Sequence, residues 1–128
     1  MGKSGRKKKV LILEDSEARR RIFREKLGSV CDLFFFDRVE EAKRALIEEG
    51  PFDLIFLDHD LDGRVFVSSN EANTGYQLAK FIARERVKPR IIIHSMNFAG
   101  AARMRELLPE AEHIEFPELF EENGGYCR

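Results

Sequence analysis

Three apolar runs in this chain each break into acids or histidines at their carboxyl end, and that repetition narrows the fold. Val10 to Leu13 runs into Glu14-Asp15, Phe52 to Leu57 into Asp58-His59-Asp60, and Ile91 to Ile93 into His94-Ser95. Short runs without polar alternation read as strands covered on both faces, as in parallel sheets. In an open parallel sheet, ligands bind in the crevice beyond the carboxyl ends of the strands. Three polar strand ends therefore predict one site on one edge.

The stretches between them read as helices. Ser16 suits an N-cap, Arg19 falls in the first turns, Ile22, Phe23 and Leu27 have amphipathic spacing, and Gly28 suits the stop. Val30 to Phe36 is a second strand, followed by a charged helix from Val39 to Glu49 with Val39, Ala42, Ala45 and Leu46 on one face. The third strand is Asp53 to Leu57. Thr74 caps a helix through Tyr76, Leu78, Ala79, Phe81 and Ile82, and Arg90 to Ile93 is the fourth strand. A helix over about Gly100 to Leu108, a fifth strand over His113 to Phe116 and an irregular end complete the reading. Strands alternating with helices of this length predict right-handed βαβ units around a parallel sheet.

At 128 residues and 43% hydrophobic, the chain is expected to form one domain with its own core. We divide it into a basic N-terminal arm (1–8), a domain (9–117) and a C-terminal tail (118–128). The formal charge of -1 gives no global pull toward nucleic acid or membrane. Lys3, Arg6, Lys7, Lys8 and Lys9 make the arm either a solvated tail or a phosphate-attracting, nucleic-acid-capable one. No apolar stretch approaches the ~20 residues that span a bilayer. Cys31 and Cys127 lack CxxC spacing, and together with a start that has no apolar export signal they predict reduced thiols in a cytoplasmic protein.

With these residues in view, the chain resembles the receiver domain of bacterial response regulators over about residues 8 to 117. Glu14-Asp15 sits where receivers bind Mg²⁺, and Asp58 where the phosphate-accepting aspartate ends the third strand. Thr74-Gly75 looks like the glycine and helix that follow, and Ser95 like the hydroxyl that contacts the phosphoryl group. The resemblance implies a three-layer αβα sandwich of flavodoxin-like type, with a five-stranded parallel sheet of order 2-1-3-4-5 and a fifth helix missing or vestigial. Phe116 precedes Pro117 where receivers carry a Lys, so that cation is absent. The strings Leu57-Asp58-His59-Asp60-Leu61, Thr74-Gly75-Tyr76 and Ile93-His94-Ser95-Met96-Asn97 look like a narrower receiver-like family that processes cyclic phosphates.

The chemistry of the residues agrees with a metal. Glu14, Asp15 and Asp58 converging without a cation repel one another, and Mg²⁺ or Mn²⁺ with phosphate oxygens relieves that conflict. Asp60 either completes this metal shell or caps the loop. Asp58 is a phosphoacceptor or a metal ligand only. His59 and His94 titrate near neutrality and suit general acid–base work, although Asp58 and His59 point to opposite faces of a regular strand. Ser95, Asn97 and Thr74 are the candidate phosphate-binding residues, with Asn97 alternatively a helix cap. The 62–73 segment is a lid over an organic group or a disordered insertion. We expect a receiver-like Mg²⁺-binding protein that hydrolyses a cyclic phosphate, with a nucleotide-like phosphate ester as its partner. The alternatives are a stand-alone regulator phosphorylated on Asp58 by a histidine kinase, and a non-catalytic pseudo-receiver that binds a protein or nucleotide.

Overall fold

The computed structural model describes residues 6–61, 63–86, 88–121 and 125–127; of the basic arm, residues 1–5 lie outside them. Strand β1 (Lys8–Leu13) leads into helix α1 (Glu17–Leu27), then β2 (Cys31–Phe36) and α2 (Val39–Glu48). They are followed by β3 (Leu54–Leu57), α3 (Gly75–Ala83), β4 (Arg90–Ile93), α4 (Phe98–Leu107) and a short β5 (Glu112–His113). The sheet is parallel throughout, in the order 2-1-3-4-5. This is the expected flavodoxin-like sandwich. Among the described residues no fifth α-helix forms; 3₁₀ turns at Phe116–Glu118 and Gly125–Cys127 stand in that region.

Strand alternation sorts the core into two layers. Leu11, Leu13, Ile55, Leu57, Ile91 and Ile93 face α2, α3 and α4, where Ala42, Leu78, Ala79 and Met104 meet them. Val10, Ile12, Leu54, Phe56 and Ile92 face the other way, onto Phe23 and Leu27 of α1. Phe23 is fully buried and sits edge-on to Phe56 at 5.1 Å between centroids. Truncating such a residue to Ala costs about 3–5 kcal/mol.

Three expectations are corrected. The fifth strand is Glu112–His113, shorter and earlier than His113 to Phe116, because the chain leaves the sheet to lay Phe116 against Phe23. Helix α4 starts at Phe98 instead of Gly100, since the Asn97 side chain accepts the Gly100 amide at 2.9 Å and caps it earlier. The cysteines are not reduced: Cys31 and Cys127 form a disulfide, with their Cα atoms 5.8 Å apart. The tail carries Leu119, Phe120 and Tyr126 back over the α1 face, which brings two positions 96 residues apart into bonding range.

Candidate active site

The alternation that builds the core also aims the polar strand ends. Glu14 continues the parity of Val10 and Ile12, Asp58 that of Leu54 and Phe56, and His94 that of Ile92, so all three fall on the α1 side. One donor atom from each lies within 4.8 Å of the others. Glu14 and His94 are fully buried and Asp58 is 5% exposed. His94 Nε2 meets Glu14 Oε1 at 2.8 Å inside an aromatic cage of Phe23, Phe56 and Phe116. Among the described residues, His94 Nδ1 has no hydrogen-bond partner.

Glu14 and Asp58 form the floor of a cleft of about 460 Å³ whose walls include Asp15, Arg19, Ser95, Met96 and Phe66. Burial pushes the Asp58 carboxyl up to about 6; the neighbouring charge of Glu14 adds to the rise, and His94 and Arg19 oppose it. Burial also acts to raise Glu14, but the hydrogen bond and charge of His94 outweigh it and hold Glu14 below the usual range. Asp15 is raised, chiefly by burial, although its Oδ2 accepts the Gly63 amide at 2.5 Å. The donor atoms that converge belong to Glu14, Asp58 and His94; Asp15 lines the same cleft outside that cluster, and with Glu14 and Asp58 it offers the oxygen donors that a hard divalent cation prefers.

The other expected site residues divide. Ser95 is 1% exposed and lines the cleft; its Oγ accepts the Asn97 amide at 3.0 Å. Asn97 also lines the cleft, while its side chain caps α4 and donates to Asp60 Oδ1 at 3.0 Å. Asp60 is saturated by the loop. Its oxygens accept His59 Nδ1 at 2.8 Å and the amides of Phe66 and Val67 at 2.6 and 3.1 Å. Burial opposes the drop, but these hydrogen bonds together hold its carboxyl below the usual range. Thr74 is buried away from the cleft and donates to the Glu71 carbonyl at 3.0 Å.

His59 follows Leu57 in parity and lies on the opposite side of the sheet from His94. It is fully buried, its Nε2 2.8 Å from Ser69 Oγ, and a Cβ at Gly100 would come within 2.5 Å of its ring. Neither histidine lines the cleft. Gly75 is required by a closer approach still, since a Cβ there would sit 1.8 Å from the Asp58 carbonyl oxygen.

Sequence reading passed over one cleft residue, Arg19, whose Nη1 lies 3.8 Å from both Glu14 Oε1 and Asp58 Oδ2. A signal was present: Arg19 precedes Phe23 by four residues, so both share the inward face of α1.

Among solved structures, the response regulatory domain of protein mrkE from Klebsiella pneumoniae superposes with TM-score 0.64 at 23% identity, covering 85% of this chain and 83% of its own. A CheY-like response regulator receiver domain from Methylobacillus flagellatus gives 0.65 at 18%, covering 89% and 93%. The Mn(2+)-bound form of response regulator Rcp1 gives 0.66 at 21%, covering 92% and 90%. At these identities the likeness shows the fold alone. No protein with a curated function matches the chain. No helix of the described residues is long and apolar enough to cross a membrane. The sequence matches the cyclic-phosphate processing receiver domain over residues 10–110, most of its length, and the chain therefore belongs to that family.

Proposed function

We propose that the cleft holds Mg²⁺ or Mn²⁺ through Glu14, Asp15 and Asp58 and hydrolyses a cyclic phosphodiester of a nucleotide-like molecule. The observation that carries this reading is the crowding of the Glu14 and Asp58 carboxylates on the cleft floor, with the Asp58 carboxyl raised to about 6. The Mn(2+)-bound receiver among the structural neighbours supports a divalent ion in this fold. When bound, the ion supplies positive charge to the phosphate oxygens.

Ring opening adds water across one ester bond. The water oxygen bonds to phosphorus, one P–O bond breaks, and the proton that water loses ends on the departing hydroxyl. Asp58 is the carboxylate positioned to orient that water or take its proton. Ser95 Oγ accepts a backbone amide, which leaves its own hydrogen to donate to a phosphate oxygen. His94 acts through Glu14 and His59 through Asp60, as positioning residues. Asn97 acts through the start of α4; Thr74, expected to cap α3, makes no side-chain bond to that helix and donates to the Glu71 carbonyl instead. Val65, Phe66 and Met96, 75%, 76% and 44% exposed, line the mouth and offer an apolar surface for a base or other organic group.

A second reading, a regulator phosphorylated on Asp58 within a phosphorelay, is favoured by the place of Asp58 at the end of β3. It is weakened by Phe116, which occupies the position of the expected cation. A metal-supplemented panel of cyclic and linear phosphoesters, with Asp58→Asn as control, separates the two. Chelator-sensitive turnover lost in the variant supports hydrolysis. A labile, Asp58-dependent mass gain from a small phosphodonor, with no turnover, supports the regulator and sinks the hydrolase.

A further inference from the structure

A cleft floored by carboxylates repels phosphate, so a phosphate-binding site here needs a cation of the chain's own in addition to any metal. Among the described residues, two cations line it, Arg19 and Arg64. Arg64 is engaged elsewhere, with its Nη1 and Nη2 donating to both Glu71 oxygens at 2.8 and 2.7 Å. Arg19 is held differently. Its guanidinium carbon lies 4.9 Å from the Phe116 ring centroid, and its Nη2 donates to Met96 Sδ at 3.6 Å, a weak acceptor. It faces Glu14 and Asp58 at 3.8 Å, close enough to pair by charge and too far for hydrogen bonds. The side chain is 30% exposed.

We propose that Arg19, from α1, is the anion-binding residue of the cleft. The assignment rests on the metal reading above in one respect: a cation among Glu14, Asp15 and Asp58 satisfies the charges that Arg19 now balances. Its donors then turn to the phosphate. The aromatic stack explains why this residue is Arg. A guanidinium placed over the Phe116 ring still has an edge of parallel N–H groups, a fork that matches two phosphate oxygens and that an ammonium cannot reproduce. Phe116, standing where receivers carry a cation, becomes the platform on which a cation from another element rests.

The test measures inorganic phosphate and Mg²⁺ binding by calorimetry for the full chain, Arg19→Lys and Arg19→Gln, with Mg²⁺ and with chelator. Melting temperatures are taken in parallel. Arg19→Gln should weaken phosphate binding at saturating Mg²⁺ about tenfold or more, the worth of a charged hydrogen bond. Its Mg²⁺ affinity should hold or rise, because a competing cation has gone. Arg19→Lys should fall between, keeping the charge and losing the fork. Equal phosphate affinity in the full chain and Arg19→Gln overturns the assignment, as does a full chain that takes up no phosphate. Parallel loss of melting temperature, Mg²⁺ and phosphate binding would mark Arg19 as structural and also overturn it. Phosphate binding that depends on Arg19 without any Mg²⁺ uptake would sustain the assignment and sink the metal reading instead.

Discussion

Glu14 Oε1 and His94 Nε2 lie 2.8 Å apart with both side chains closed to solvent, tying the ends of β1 and β4 across β3. Removing one member of a buried pair strands the other, which costs about 3–5 kcal/mol. We expect His94→Ala to lose stability on that scale in chemical denaturation. Adding Glu14→Gln should recover part of it, because a neutral amide is cheaper to leave unpaired. A His94→Ala chain within about 1 kcal/mol of the parent would show that the pair contributes little.

Asp58 makes stability depend on pH in the metal-free chain. Its folded carboxyl titrates near 6, above the ordinary 3.8, so the protonated form favours the folded state. That contribution is complete below about pH 3.9 and is lost as pH rises through about 6, an effect on the order of 3 kcal/mol. In chelator, the parent minus Asp58→Asn stability difference should decline across this window, and Mg²⁺ should abolish the decline. A flat difference between pH 4 and 7 would contradict the buried, crowded carboxyl.

The strand ends were legible because their apolar runs and the polar residues that end them sit next to each other in sequence. Alternation carried further than it was taken: Glu14, Asp58 and His94 share one parity, and His59 has the other. The opposed faces of Asp58 and His59 were foreseen, and His59 indeed turns toward α4. Arg19 was hidden because its partners, Glu14, Asp58, Met96 and Phe116, come from four other segments of the chain. The disulfide was hidden because nothing local marks a pairing across 96 residues. The end of β5 was misplaced because an apolar Ile114 and Phe116 read as strand when they serve the α1 face.

Asp60 clamps the loop that carries Phe66, which holds a φ of 55°, a region that aromatic residues seldom occupy. His59 in turn anchors Asp60. We expect Asp60→Ala and His59→Ala to speed amide exchange at Phe66 and Val67 roughly tenfold, about 1–1.5 kcal/mol of lost hydrogen bonding. Mg²⁺ affinity should be unchanged. Unaltered exchange with abolished turnover in His59→Ala would instead place His59 in the chemistry. Gly100→Ala should have a similar effect to His59→Ala, since its methyl meets the imidazole ring.

The Cys31–Cys127 bond fastens the segment bearing Phe116, Phe120 and Tyr126 to the start of β2. Closing so long a loop stabilises by about 2–5 kcal/mol. Reductant, or Cys127→Ser, should lower the denaturation midpoint accordingly, and reductant should do nothing further to the variant. Equal midpoints with and without reductant would mean that the tail is held by packing alone.

Hydrolysis at the carboxylate cleft is best tested by following 2′,3′-cyclic AMP with ³¹P NMR in the presence of the full chain. We expect the cyclic diester signal to give way to a monoester in Mg²⁺ or Mn²⁺, to persist in chelator, and to persist with Asp58→Asn. A cyclic signal that survives with the intact, metal-loaded chain, or that disappears equally with Asp58→Asn, would contradict the assignment.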